Sequence, residues 1–203
     1  MQNKMNTLGQ IEQSSFIQGM VTGKLTQKQR DYYVAQDQYY LQAFDAYFNQ
    51  VVAQVAPQWQ KQLPVLGEAE ADAHAALRPG LGVSKIAKDP VNQAYLAHLN
   101  QALDDNWQPL AGMIALLPCI ESYHLIAVKF QPQAALVYHG WFDYYAGLEY
   151  QQLVEWFWQV INTELQQVLP HLTADDWQIL QRIYQQSYQD EFNFWQAAAQ
   201  ASE

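Results

Sequence analysis

Apolar residues recur at three-and-four spacing through nearly the whole chain, and Val, Ile and Thr nowhere alternate with polar residues over the length of a strand. The pattern predicts an all-α protein of about eight helices. The first is expected from Thr7 to about Met20, ending near Gly23. The second opens at Thr26, which can form a capping box with Gln29, and runs to Pro57 with Tyr33, Tyr40, Phe44, Phe48, Val51 and Val55 as its inner stripe. A third is expected from Trp59 to Leu77, with Pro64 and Gly67 only distorting it, before the loop at Arg78 to Gly82. Asp89 and Pro90 are an N-cap and a first helical residue, opening a helix to about Asp104. The segment Trp107 to Phe130 is apolar nearly all round, the mark of a helix buried in the middle of a fold, and contains Pro118. Helices over Pro132–Tyr145, Leu148–Leu169 and Thr173–Ala199 complete the set.

No repeat or linker interrupts this series, so residues 1–203 read as one helical domain. Charge changes the picture more than length does. Only 15% of residues are charged, against roughly 25% in an ordinary soluble chain, and 20 acids outnumber 10 Lys and Arg for a net charge of -10. That field repels nucleic acid, whose binding rests on cations displacing counterions from phosphates. No apolar run of ~20 uncharged residues is evident, and the N-terminus lacks an apolar leader, so neither a membrane partner nor export is expected and the address is expected to be cytoplasmic. The single cysteine, Cys119, can form neither an internal disulfide nor a thiolate metal cluster.

The informative positions are polar ones where the helical period demands apolar ones. Asp37 falls on the stripe of Tyr33, Tyr40 and Phe44, and Glu191 on the stripe of Tyr184, Tyr188, Phe194 and Trp195. Two separate helices thus each bury an acid. Burying a carboxylate costs several kcal/mol unless it is hydrogen-bonded or paired, and with cations scarce, Tyr hydroxyls are the expected donors. Each acid could be a structural tie between helices, but desolvation would also raise the pKa of Glu191 and suit it to proton transfer near neutral pH. Cys119 follows Pro118 on the buried helix, with Tyr123 one turn on; alone it could be a small hydrophobe, and no neighbouring cation activates it. Glu70 and His74 stand at i, i+4, but no second carboxylate–His pair at comparable spacing exists, so no metal site or cofactor is expected and a packing hydrogen bond is the simpler reading.

Five segments together resemble the TenA family of thiaminase II enzymes: Phe16–Leu25; Gln36-Asp37-Gln38-Tyr39-Tyr40-Leu41; Glu70 with His74; Leu117-Pro118-Cys119 with Tyr123; and Trp141 with Tyr145, closed by Glu191-Phe192-Asn193-Phe194-Trp195. The resemblance implies the all-α haem-oxygenase-like bundle and an aminopyrimidine aminohydrolase of thiamin salvage. Such an enzyme converts 4-amino-5-aminomethyl-2-methylpyrimidine to the hydroxymethyl pyrimidine with release of ammonia, or cleaves thiamin itself. Cys119 matches the nucleophile, Glu191 the acid/base and Asp37 the carboxylate that holds the ring. Tyr40, Tyr123 and Tyr145 match pocket tyrosines, Tyr95 a stacking tyrosine and Phe194 an aromatic beside the ring. Tyr144 competes with its neighbour Tyr145 for that place. The resemblance also implies a homotetramer. Two departures concern the first helix and its loop: the family commonly carries His-Pro where Ser14-Ser15 stand, and Pro where Thr26 stands. Non-catalytic pyrimidine or thiamin binding, or regulation, on the same fold are the alternatives.

Overall fold

The computed structural model describes residues 2–65 and 69–201. Among them are ten α-helices joined by turns and short 3-10 segments, with no strand. Two helices replace the expected first one, α1 (Gln2–Glu12) and α2 (Ser15–Thr22). Ser14 divides them, because its hydroxyl accepts the Ile17 amide at 3.3 Å and restarts the helix as an N-cap. Gly23 ends α2 at φ 71°, a left-handed conformation in which a side chain would be strained.

Helix α3 (Gln27–Val52) opens with the Thr26–Gln29 capping box and stops before the expected Pro57. The long helix expected over Trp59–Leu77 is not formed. In its place are α4 (Pro57–Gln60) and α5 (Ala69–Ala75), with Pro64 in the non-helical stretch after α4. Proline lacks the N–H that would extend the helix, and its ring clashes with the preceding turn; Gly67 lies outside the described residues. Helix α6 (Pro90–Leu103) is capped by Asp89, whose carboxylate accepts the Val91 amide at 2.8 Å. Helix α7 (Leu110–Phe130) continues through Pro118 as one element. The expected helix from Pro132 is instead two 3-10 turns followed by α8 (His139–Ala146). Helix α9 (Leu148–Val168) follows Gly147, and α10 (Ala174–Gln200) opens with a Thr173–Asp176 capping box.

Helix α7 is the axis of the bundle, packed by α9, α10, α8, α6 and α3. By length and composition it is apolar enough to cross a membrane, contrary to the reading of the bare sequence, yet most of that stretch is buried against the other helices. Close approach of α3 requires Gly112, where a Cβ would meet Val51 Cγ2 at 2.5 Å. Helix α10 packs along α7 and also touches α6 and α3. The acids on α3 and α10 therefore approach α7 from its flanks. Two apolar residues lie outside the core although the helical spacing of α10 and the apolar run of α7 place them there: Trp177 is 41% exposed and Val128 51%.

Candidate active site

Five helices converge on one cavity. Helix α3 brings Asp37, α5 brings Glu70, α7 brings Cys119 and Tyr123, α8 brings Tyr145 and α9 brings Tyr150, around a space of about 210 Å³. Asp45 also lines it, whereas no Lys or Arg does among the described residues. The wall is aromatic and aliphatic with an excess of carboxylates, a surface that accepts a flat heterocycle carrying N–H donors or positive charge and repels polyanions.

Behind Cys119 lies the first polar network. The Tyr95 hydroxyl donates to Glu191 Oε1 at 2.7 Å, and the Tyr40 hydroxyl donates to Tyr95 at 3.3 Å. Tyr40 and Glu191 lie close enough to the Cys119 thiol to shift its ionisation, Tyr40 favouring the thiolate and Glu191 opposing it. Glu191 Oε2 has no hydrogen-bond partner. Burial pushes the Glu191 carboxyl up to about 8, the Tyr95 hydrogen bond working against that rise and the Asp37 charge adding to it. The same burial, with Glu191 nearby, pushes the Cys119 thiol well above its usual range. At neutral pH the resting pair is therefore a thiol beside a largely protonated acid, and a proton given up by sulfur has a carboxylate within reach whenever Glu191 ionises.

A second network holds the opposite wall. His74 Nε2 lies 2.9 Å from Asp37 Oδ2, and the Tyr145 hydroxyl sits 3.3 Å from Glu70 Oε1, to which it donates, and 3.4 Å from His74 Nε2. Beneath them the Trp141 indole N–H donates to the Tyr33 hydroxyl, which donates to that of Tyr123, both at 3.3 Å. Trp195 stacks on Tyr33 at 5.3 Å and meets Tyr123 at 5.0 Å. Such a cage leaves its polar tips few rotamers, which fixes the cavity wall in place.

All eight candidate residues are buried, but they do not share one surface. Asp37, Cys119, Tyr123 and Tyr145 line the cavity. Glu191, Tyr40 and Tyr95 stand behind the thiol as its hydrogen-bonded support, and Phe194 packs edge-on to Tyr33 at 5.8 Å without lining the cavity. Of the adjacent tyrosines, Tyr145 faces inward and is 1% exposed. The expectation that tyrosines satisfy both acids holds for Glu191 and fails for Asp37, whose partner is His74. Glu70 and His74 are thus part of the cavity wall and its support; the i, i+4 spacing marked them, but only the packing of α5 against α8 shows what they face. Three further buried acids, Glu121, Glu164 and Asp190, escaped the sequence reading. Glu121 accepts from Lys4 at 2.6 Å, Trp158 at 3.1 Å, Tyr184 at 3.3 Å and Tyr188, in a cluster that shares no residue with the cavity lining.

Residues 8–201 match the model of the TENA/THI-4/PQQC family. The chain belongs to this family. Among similar members of known name, an aminopyrimidine aminohydrolase from Halalkalibacterium halodurans is 27% identical over 198 residues, 90% of this chain and 86% of its own length. The hydroxymethylpyrimidine/phosphomethylpyrimidine kinase THI20 of Saccharomyces cerevisiae is 26% identical over 200 residues; the alignment takes in 90% of this chain but only 35% of the yeast protein. The crystal structure of a TenA-like protein from Sulfolobus solfataricus P2 superposes with a TM-score of 0.78 at 21% identity, covering 97% of this chain and 95% of that one. That likeness establishes the TenA-type all-α fold.

Proposed function

We propose that the protein is a hydrolase of thiamin salvage that converts 4-amino-5-aminomethyl-2-methylpyrimidine to the hydroxymethyl pyrimidine and ammonia, with thiamin as a further candidate substrate. The observation that carries this reading is the placement of Cys119 on a cavity that Asp37 lines and that no Lys or Arg among the described residues lines, with the Glu191 carboxyl beside the thiol. Family membership and the aminohydrolase relative support the same reaction class.

In this reading Asp37 accepts N–H donors of the aminopyrimidine, and the aromatic walls hold the ring. The thiol proton passes to ionised Glu191 as sulfur bonds to a ring carbon. The electron pair released into the ring expels the aminomethyl nitrogen, which takes that proton from Glu191 and leaves as ammonia. Water then adds to the exocyclic methylene, giving a proton to Glu191, while the pair returns through the ring and breaks the carbon–sulfur bond. Glu191 finally re-protonates the thiolate. One water is consumed, one ammonia released, and no redox partner is needed. A homotetramer in the cytoplasm belongs to the same proposal, and exposed apolar side chains such as Leu136 and Trp177 would suit subunit contacts.

The test is to incubate the protein with the aminomethyl pyrimidine and follow ammonia and hydroxymethyl pyrimidine together. Cys119→Ser and Glu191→Gln are each expected to lose roughly 10²-fold or more of the rate. A wild-type rate no greater than that of Cys119→Ser would sink the reading. Binding that survives Glu191→Gln, with no product from either protein, would instead identify a non-catalytic carrier.

A further inference from the structure

We propose that His74, as an imidazolium, is the positioning residue that pins Asp37 Oδ2 and leaves Oδ1 as the cavity's anionic acceptor for N–H donors of the bound heterocycle. The inference rests on the proposed function for the identity of that ligand, and on this chain's own geometry for the rest.

Asp37 is 3% exposed, too deep for water to solvate a carboxylate. No Lys or Arg lines the cavity among the described residues, and the basic group in contact with Asp37 is the His74 ring at 2.9 Å. Asp37 Oδ2 is buried, and the 2.9 Å approach of His74 Nε2 is an ionic contact and not an aligned hydrogen bond. Since Asp37 nevertheless lines the cavity, Oδ1 is the oxygen left to face a ligand. His74 is itself held from other sides. The Tyr33 ring from α3 meets it edge-on at 6.2 Å, and Tyr145 from α8 touches Nε2 while donating to Glu70, one turn before His74 on α5. The groups that face the imidazole are therefore two acids and two neutral phenols. Burial disfavours the charged ring, but Asp37 in contact and Glu70 nearby outweigh it, so the His74 pKa lies above its ordinary 6.5. The sign follows: His74 keeps its charge to higher pH than an ordinary imidazole and loses it as pH rises through the raised value. The alternative, a neutral His serving only to tie α5 to α3, would leave ligand affinity insensitive to that titration.

Two measurements on the full-length protein test this. Nitrogen chemical shifts of labelled histidine, assigned through His74→Gln, should show His74 titrating above 6.5 in the wild type and at lower pH in Asp37→Asn. Calorimetric titration with the hydroxymethyl pyrimidine should show affinity at pH 7 falling at least tenfold in His74→Gln. In turnover, KM should rise by a similar factor while kcat at saturation changes less than threefold, a split that general loosening of the fold would not produce. His74 titrating at or below 6.5 in the wild type overturns the proposal, and so does a folded His74→Gln that binds as tightly as the wild type. If the wild type binds no pyrimidine while His74 titrates high, the hydrolase reading falls and the His74–Asp37 pairing is upheld.

Discussion

Replacing Glu191 with Gln should make the protein less sensitive to alkaline pH, and the size of the effect follows from the site's geometry. The carboxyl is buried at 2% exposure with one oxygen lacking a partner, and this burial raises its pKa to about 8 from an ordinary 4.5 despite the opposing Tyr95 hydrogen bond. An acid with a raised folded-state pKa contributes stability below 4.5, and that contribution is lost as pH rises through about 8. At about 1.36 kcal/mol per pH unit, the full loss across that window is on the order of 5 kcal/mol. Gln keeps an acceptor for the Tyr95 hydroxyl and cannot ionise. Urea unfolding of both proteins at pH 5 and pH 9, at one fixed protein concentration, should therefore show the wild type losing several kcal/mol more than Glu191→Gln over the same interval. The comparison cancels other titrating groups such as Asp190 and Glu70, which both proteins retain. Equal pH slopes would refute the claim that Glu191 is buried in a raised-pKa state.

Three further outcomes follow from the same structure. Tyr95→Phe removes the hydrogen bond that lowers the Glu191 pKa; a hydrogen bond to a charged group is worth about 1.5–3 kcal/mol, so the acidic limb of the pH–rate profile, set by ionisation of Glu191, should move upward by about 1–2 units. Glu121→Ala breaks a buried cluster with Lys4, Trp158, Tyr184 and Tyr188 and should cost about 3–5 kcal/mol in urea unfolding while leaving KM unchanged. Gly112→Ala drives a methyl group against Val51 and should cost about 1–3 kcal/mol by the same assay, unless α3 moves away from α7.

Period and composition alone were enough to make this chain a charge-poor bundle built round an apolar central helix, and to mark Asp37 and Glu191 as misfits on apolar stripes, whereas Cys119 stood out only through the family resemblance. Those features are local: a helical stripe declares its face through three-and-four spacing whatever it packs against. The same logic failed where a residue's surroundings come from another helix. Glu121 sits in so apolar a segment that its donors, four residues on α1, α9 and α10, could not be foreseen. Trp177 obeyed the spacing of α10 yet lies 41% exposed, because spacing fixes a direction and not whether anything packs there.

The scarcity of Lys and Arg suggested that tyrosines alone would satisfy the buried acids, and for Glu191 a tyrosine does. Asp37 instead received a histidine from a short helix that the sequence pattern had merged into a longer one. Which acid gets a hydroxyl and which an imidazole depends on contacts between residues 37 positions apart, and no periodicity along one helix encodes them. Sequence thus determined which side chains turn inward; the tertiary fold decided their partners, since electrostatic pairing in a low-dielectric interior is a property of distance in space.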